Sequence, residues 1–339
     1  MVPEPNMSQP QQYFDVEISI VIVSFNTRDV LRACLKSVFR DGSALRLQVI
    51  VVDNASTDGS PEMIKQDFPT VLLIQSDVNL GCGQANNLGF KSALGRYIVL
   101  LNSDAFLTDG VLERSVEHMD SNPNAGLGGG RLIGRDSSYQ PSARMFPTVF
   151  NDLLVLSGLA ARFPRSRLFG RADRTWANEM EEAEVDWVPG AYSIIRPAAL
   201  TAAGPFDPRF FLYYEEVDLC RRIKRQGYSV WYWPDISVVH IGGESSRQIQ
   251  SQELSQTGAQ LILWRMRSML LYYRKNHGLA AHLAMLSEIC WYWLRSQKRR
   301  LSRNPMRRAR ADADRSLVSI MLRAWHETNG GRFSPEQPW

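Results

Sequence analysis

Apolar residues along this chain fall into two alternating rhythms. Residues 18–25 (ISIVIVSF) form a continuous β-branched run, as expected of a strand buried on both faces of a parallel sheet. Leu31, Leu35 and Val38 then recur at helical spacing behind Asn26 and Thr27, either of which can cap the helix. Further strands are predicted over residues 47–52, 71–74 and 97–101, with a helix over 83–94. This alternation implies a doubly wound, mostly parallel α/β sheet, in which ligands bind beyond the carboxyl ends of the strands. Asp53 and Asp104 both fall there. The glycine-rich residues 126–134 and the Pro- and Arg-rich residues 141–174 break the rhythm and read as loops with short elements. Strand character returns over 185–196. Residues 210–214 then lead into Glu215, Glu216 and Asp218, which open a helix with Leu219 and Ile223 on its apolar face and Gly227 at its stop. Strands over 229–233 and 237–239 end at His240.

The length of 339 residues suits one α/β domain of roughly 250 residues with an appendage. With 44% hydrophobic and 22% charged residues, wholesale disorder and a polytopic membrane protein are both excluded. Cys34, Cys82, Cys220 and Cys290 stand far apart, which argues against a zinc site or disulfide framework and suits a reducing cytosol. Residues 1–15, rich in Pro and Gln, read as a disordered lead-in, neither signal peptide nor anchor. No run reaches the roughly 20 apolar residues of a spanning helix; the nearest, 279–294, contains His282 and Glu288.

A carboxylate closing a buried strand is costly without a partner, so Asp53 and Asp104 are expected to be paired, hydrogen-bonded or metal-bound. Taken singly, each could also cap a turn, as Asp58 can with Gly59. The segments SIVIVSFNTRDVLRACLKSV and VVDNASTDGS are followed by NLGCGQANNLGF and YIVLLNSDA, then by FFLYYEEVDLCRRIKRQGY and VVHIGGES. In this order, over roughly residues 18–243, they resemble glycosyltransferase family 2.

That resemblance implies a GT-A nucleotide-sugar transferase fold and a metal-dependent transfer that inverts the anomeric centre, in cell-surface polysaccharide synthesis. It places Asp53 on the base or ribose of a nucleoside-diphosphate sugar, with Ser24, Asn26 and Asp58 lining the same cleft. The family's Asp-Xaa-Asp position is here Asn102, Ser103 and Asp104, one carboxylate short. Asp104 would bind the metal directly, and Asn102 would touch the ribose or a metal-bound water. His240 matches a further ligand, and an imidazole beside oxygens suits Mn²⁺ somewhat better than Mg²⁺; otherwise it is a strand-end histidine bonded to backbone. Within the acidic pair Glu215 and Glu216, the second acid matches the base, ionised at neutral pH if solvated, with a pKa of about 4.3. Trp187, Gly190 and Asp218 fall on the acceptor side, although Trp187 could equally be core and Asp218 could support the helix start. Arg144 would meet a phosphate or simply be solvated.

The NSDA and YEEVDLCRRIKRQGY segments look like the rhamnosyltransferase-like branch, which favours dTDP-rhamnose as donor, then a hexose from a UDP-sugar. The rival readings are a non-catalytic nucleotide-sugar-binding protein and a nucleotidyltransferase. The latter opens with a glycine-rich loop and lysine where SFNTRD stands here. GCG at 81–83 lacks a third spaced glycine, and neither a Walker loop nor a Gly-Xaa-Ser-Xaa-Gly elbow is present.

The division expected is a catalytic domain over 16–250 and a basic helical extension over 251–339. Residues 261–273 and 279–294 are apolar and aromatic, and Arg295, Lys298, Arg299, Arg300, Arg303, Arg307, Arg308 and Arg310 follow with no acid before Asp312. This reads as an interfacial anchor for an anionic membrane surface, with Trp291, Tyr292 and Trp293 in the headgroup layer. The alternative is that these helices pack on the catalytic domain or a second subunit and that the basic run is solvated. As an anchor, it would place a cytoplasmic protein peripherally at the inner face of a bacterial plasma membrane. The acceptor would then be a saccharide or a polyprenyl-diphosphate-linked saccharide. A short, unrepeated basic run argues against nucleic acid.

Overall fold

The computed structural model describes residues 15–242 and 259–335. Apart from Asp15, the predicted lead-in lies outside the described residues, as do the end of VVHIGGES and the expected boundary at residue 250. The chain runs β1 (Ile18–Ser24), α1 (Arg28–Asp41), β2 (Leu47–Asp53), α2 (Ser60–Asp67), β3 (Leu72–Gln75), α3 (Cys82–Ser92), β4 (Tyr97–Asn102), β5 (Ala105–Leu107), α4 (Val111–Ser121), β6 (Ala125–Ile133), β7 (Tyr139–Gln140), α5 (Val149–Leu156), α6 (Leu159–Arg162), β8 (Ala183–Val185), β9 (Tyr192–Ile195), α7 (Pro197–Ala203), α8 (Glu215–Arg225) and β10 (Ser229–His240). Three helices follow: α9 (Ala259–His277), α10 (Ala280–Arg300) and α11 (Pro305–Glu327).

One sheet runs β3-β2-β1-β4-β9-β6-β10-β5, with β7 on β6 and β8 on β10. The half β3-β2-β1-β4 is parallel, as predicted. The other half is mixed: β9 is antiparallel to both β4 and β6, while β10 is parallel to β6 and antiparallel to β5 and β8. The pleat divides the β-branched runs between two cores. Ile18, Ile20, Ile22, Val49 and Val51 enter one with Leu31, Leu35 and Val38 of α1, while Val21, Ile50 and Val52 enter the other.

Residues 126–134, expected as loop, are mostly the central strand β6. Its glycines are there because neighbours occupy the Cβ space: a Cβ at Gly128 would lie 1.8 Å from the Trp233 ring, and one at Gly129 2.7 Å from Val188. Within 141–174 the chain forms α5 and α6. The two strands expected after Gly227 are one strand, β10, with an irregular register between Trp233 and Ser237.

Helix α9 belongs to the core of the sheet. Its Leu263, Met266, Met269 and Leu270 are buried in the same cluster as Val21, Ile50 and Leu100 of the sheet. Its Lys275 ammonium lies 2.8 Å from Asp218 Oδ1, an α8 carboxylate with no solvent exposure that also accepts from Arg222 Nε at 2.8 Å. The outer helices are tied on by Arg265 to Glu288 of α10 and Arg267 to Glu327 of α11. In the basic block, Arg295 and Arg299 both pair with the buried Asp314, and Tyr292 is buried whereas Trp293 is 52% exposed. The packing alternative therefore describes α9, while α10 has one face in and one face out. No helix among the described residues is long and apolar enough to cross a membrane.

Removing one partner of a buried ion pair leaves a charge uncompensated. Lys275→Met is expected to lower the unfolding free energy by about 3 kcal/mol, at the low end of that effect because Arg222 remains. A urea midpoint unchanged from wild type would show that α9 does not hold Asp218 in this way.

Candidate active site

A cavity of about 300 Å³ opens beyond the carboxyl ends of β1 and β4, where the strand order reverses. Its walls include Asn54 and Asn79 from the loops after β2 and β3, Asn102, Ser103 and Asp104 at the end of β4, Gly190, Tyr213, Glu215, Glu216 and His240. Strands deliver these side chains because each buried run ends where its first polar residue meets solvent.

The chain enters α8 through an unusual turn. Tyr213 (φ 69°) and Tyr214 (φ 67°) both take the left-handed conformation, which costs a non-glycine residue roughly 1–3 kcal/mol. Buried Phe210 anchors one side of it, and the Leu212 carbonyl accepts from Ser268 Oγ of α9 at 2.7 Å. Phe211 packs on Trp264, and Tyr214 on Tyr272. From the opposite wall Cys82 N donates to the Phe211 carbonyl at 2.9 Å. That close approach requires glycine at 81, where φ is +79° and a Cβ would sit 2.3 Å from the same carbonyl oxygen.

The turn aims two carboxyls into the cavity. Glu215 Oε2 and Glu216 Oε2 are buried without a hydrogen-bond partner among the described residues. Burial raises both pKa values; Glu215 is pushed well up, with the charge of Glu216 adding to the effect, while hydrogen bonds and the Arg144 charge partly offset the rise at Glu216. The expectation of a solvated Glu216 with an ordinary pKa is therefore corrected, because burial of the carboxyl disfavours its charged form.

At the end of β4, Asp104 Oδ1 lies 3.5 Å from His240 Nε2. Gln140 fixes the imidazole: its Nε2 donates to the His240 carbonyl at 2.8 Å, so its Oε1, 2.8 Å from His240 Nδ1, must accept. The proton of a neutral imidazole then resides on Nδ1, and the Nε2 lone pair faces the carboxylate. Two acceptors facing each other at this distance fit a shared cation. No cluster of three or more His, Cys, Asp or Glu side chains suited to a metal occurs among the described residues, so a divalent ion here would draw its other ligands from a bound diphosphate or water. The His240 ring is thus held by the Gln140 side chain and not by backbone.

The remaining predicted residues divide. Gly190 and Asn102 line the cavity. Asp53 is buried just behind it, with Oδ2 accepting from Ser56 N at 3.0 Å and Oδ1 without a partner among the described residues. Burial, outweighing the Ser56 hydrogen bonds, raises its pKa. Ser24 is fully buried and shares a hydrogen bond with Thr27. Asn26 and Asp58 line a neighbouring hollow, outside the main cavity. Asp58 caps α1 by accepting from Arg28 N at 2.8 Å and also accepts from Ser60; against the opposing effect of burial these bonds lower its pKa. Thr27, at the cap position, spends its hydroxyl on Ser24 and Ser103.

Two acceptor-side expectations are corrected. Trp187 does not reach the cavity: its Nε1 donates to the Met145 carbonyl and the Arg144 guanidinium covers its ring at 4.5 Å. Arg144 itself pairs with Asp173, so it is not simply solvated. Asp218, fully buried against Lys275 and Arg222, faces α9. Conversely, Asn54, Asn79, Cys82 and Tyr213 border the cavity and were missed. Asn54 Nδ2 donates to Asn79 Oδ1 at 2.8 Å, and only the position of both just after predicted strands could have flagged them.

With this geometry in hand, comparison with known proteins is informative. Residues 19–174 match the model of Glycosyl transferase family 2. The N-acetylglucosaminyl-diphospho-decaprenol L-rhamnosyltransferase of Mycobacterium tuberculosis is 29% identical over 222 residues, covering 62% of this chain and 71% of the relative. The rhamnosyltransferase WbbL of Escherichia coli K12 is 23% identical over 276 residues, covering 78% and 95%. Among solved structures, a mannosyltransferase from Pyrobaculum calidifontis in complex with GDP-Man and Mn2+ superposes with a TM-score of 0.53 at 14% identity, covering 95% of this chain and 90% of that one. GalNAc-T7 with UDP, GalNAc and Mn2+ gives 0.54 at 13% identity, covering 94% and 57%. At these identities the likeness is one of fold.

The two cavity glycines differ in what they tolerate. Gly81→Ala is expected to cost about 2–4 kcal/mol, through the left-handed backbone and the clash with Phe211. Gly190→Ala, whose Cβ would meet only Glu216 Cβ at 3.9 Å, should stay within about 1 kcal/mol of wild type. Equal urea midpoints for the two variants would contradict the close approach at Gly81.

Proposed function

From its membership of glycosyltransferase family 2, we propose that this chain transfers rhamnose from dTDP-rhamnose to a polyprenyl-diphosphate-linked saccharide, inverting the anomeric centre. The observation that carries the reading is that one cavity holds both an acceptor pair suited to a cation, Asp104 and His240, and a buried carboxyl with a free oxygen, Glu216. The first suits a leaving diphosphate and the second an attacking hydroxyl. The sugar and the lipid-linked acceptor are supported by the two rhamnosyltransferase relatives, one of which is named for a decaprenol-diphosphate substrate. A divalent metal is supported by the facing acceptors and by the Mn2+ in both fold relatives.

Inversion needs a base on the face of the sugar away from the diphosphate. Glu216 takes the proton of the acceptor hydroxyl as that oxygen bonds to the anomeric carbon and the bond to the diphosphate breaks. Asp104 and His240 would hold the metal, which supplies Lewis-acid stabilisation of charge on the leaving group. Asn54, Asn79 and Asn102 line the donor side with neutral donors and acceptors, and Asp53 braces that wall through Ser56. Glu215, whose pKa is pushed well up by burial and by the charge of Glu216, stands beside the base and shapes the pocket. The peripheral cytoplasmic location and the association with membrane belong to the same proposal, since a polyprenyl-linked acceptor is held at a bilayer.

Glu216→Gln is expected to keep donor binding and lose at least about 100-fold in kcat, whereas Glu215→Gln, which keeps the size of the side chain, should stay within about tenfold. Because the base acts ionised and burial raises its pKa, kcat/KM should rise with pH along a limb above the ordinary carboxylate range of about 4.3. Loss of equal size in both variants would remove the distinction between the two acids.

In a thermal-shift panel, dTDP-rhamnose at 100 times its dissociation constant should stabilise the protein by about 2.7 kcal/mol. The shift should need Mn2+ and weaken in His240→Ala. A shift with UDP-sugars alone would reassign the donor, and one indifferent to Mn2+ would remove the metal. Pyrophosphate release from a nucleoside triphosphate would favour a nucleotidyltransferase instead.

A further inference from the structure

Helix α10 has two unlike faces. Ala281, Ala284, Glu288, Tyr292 and Ser296 are buried along one side. On the other, Leu279, Leu283, Leu286, Trp293, Leu294 and Leu301 recur at helical spacing and are all exposed, Leu279 to 76% and Leu301 to 87%. Five leucines and a tryptophan on one face, spread from one end of the helix to the other, are not a scatter of single surface residues. At its C-terminal end stand Lys298, Arg300, Arg303, Arg307, Arg308 and Arg310, all exposed.

The same chemistry recurs within the Pro- and Arg-rich stretch 141–174. Helix α5 packs against α10, and from it and α6 project Phe150, Val155, Leu159, Phe163 and Leu168, each at least 39% exposed. Arg162, Arg165, Arg167 and Arg171 are exposed in the same stretch. Its sole acid between residues 149 and 172, Asp152, is turned inward and accepts from Tyr273 Oη at 2.6 Å.

We propose that the outer stripe of α10 and the adjoining α5–α6 segment form one docking face for an anionic lipid surface. Apolar side chains enter the headgroup boundary while the flanking arginines meet lipid phosphates. Charge selects this occupant over the others. A second copy docked face to face would bring two basic runs together, against like-charge repulsion, and a nucleic acid would engage the arginines while leaving the leucines in water. The internal pairs of Arg295 and Arg299 with Asp314 show which bases support the fold; Arg300 lies 3.9 Å from the exposed Asp312, and the other bases named above face solvent. The inference deepens the proposed transfer to a lipid-linked acceptor by assigning the surface that meets the bilayer, yet it rests on geometry that the identity of the donor does not alter.

The test is co-sedimentation of the full chain with vesicles of phosphatidylcholine alone or mixed equally with phosphatidylglycerol. Wild type is expected to partition at least about tenfold better onto the anionic vesicles. The variant Arg307→Glu/Arg308→Glu/Arg310→Glu should lose that preference. Leu283→Ser/Leu286→Ser/Trp293→Ser, and separately Leu159→Ser/Phe163→Ser, should weaken binding to anionic vesicles at least about fivefold. All these positions are exposed, so melting temperature and donor-induced thermal shift should be unchanged, which separates docking from folding. Equal or absent binding to the two vesicle types overturns the proposal, as does wild-type binding in the variants or a dimer in light scattering that they dissociate. Vesicle binding without any donor-induced shift would instead overturn the transfer reading and leave the docking face standing.

Discussion

Two consecutive tyrosines in the left-handed conformation are the feature on which the site depends. Tyr213 and Tyr214 would relax if left to themselves, since neither has glycine's freedom at positive φ. The turn persists because it is gripped from both sides. Gly81 lets the α3 backbone reach the Phe211 carbonyl, and α9 supplies Ser268 to Leu212, Trp264 to Phe211 and Tyr272 to Tyr214. Straighten the turn, and α8 would start with its acids elsewhere. Glu215 and Glu216 would lose the burial that raises their pKa values.

This grip changes what the C-terminal region is. Helix α9 is a wall of the catalytic core, joined to the start of α8 by Lys275 and Asp218, and its apolar side enters the same cluster as β1 and β2. Helices α10 and α11 pack against it from outside. They are fastened to α9 by Glu288 and Glu327, and to each other by Arg295, Arg299 and Asp314. A boundary drawn by composition near residue 250 therefore separates a helix from the core it completes.

Polar wiring from outside the motifs does much of the aiming. Gln140, on the small strand β7, holds the His240 ring so that its Nε2 faces Asp104. Asp58, which looked like a donor ligand, instead caps α1 from a distant loop and so holds the carboxyl end of β1 in place. Asp53 braces the loop through Ser56 and leaves Asn54 to face the cavity.

The convergence of Asp104, Glu216 and His240 was implied by the resemblance to glycosyltransferase family 2, while the strands β1 to β4 and the helix that opens at Glu215 were legible in the sequence itself. Each rests on a local pattern: β-branched runs bury themselves, and a polar residue at the end of such a run must emerge at the strand's carboxyl end. The glycines of β6 read as loop because the Trp233 and Val188 side chains that fill their faces come from elsewhere in the chain. For the same reason Trp187 and Asp218 looked available, when Met145, Arg144 and Lys275 had already engaged them. Local sequence determined which elements form and which ionisable groups sit at their ends. Only the tertiary structure decided which of those groups keep a free atom, because hydrogen-bond partners and excluded water come from residues distant in the chain.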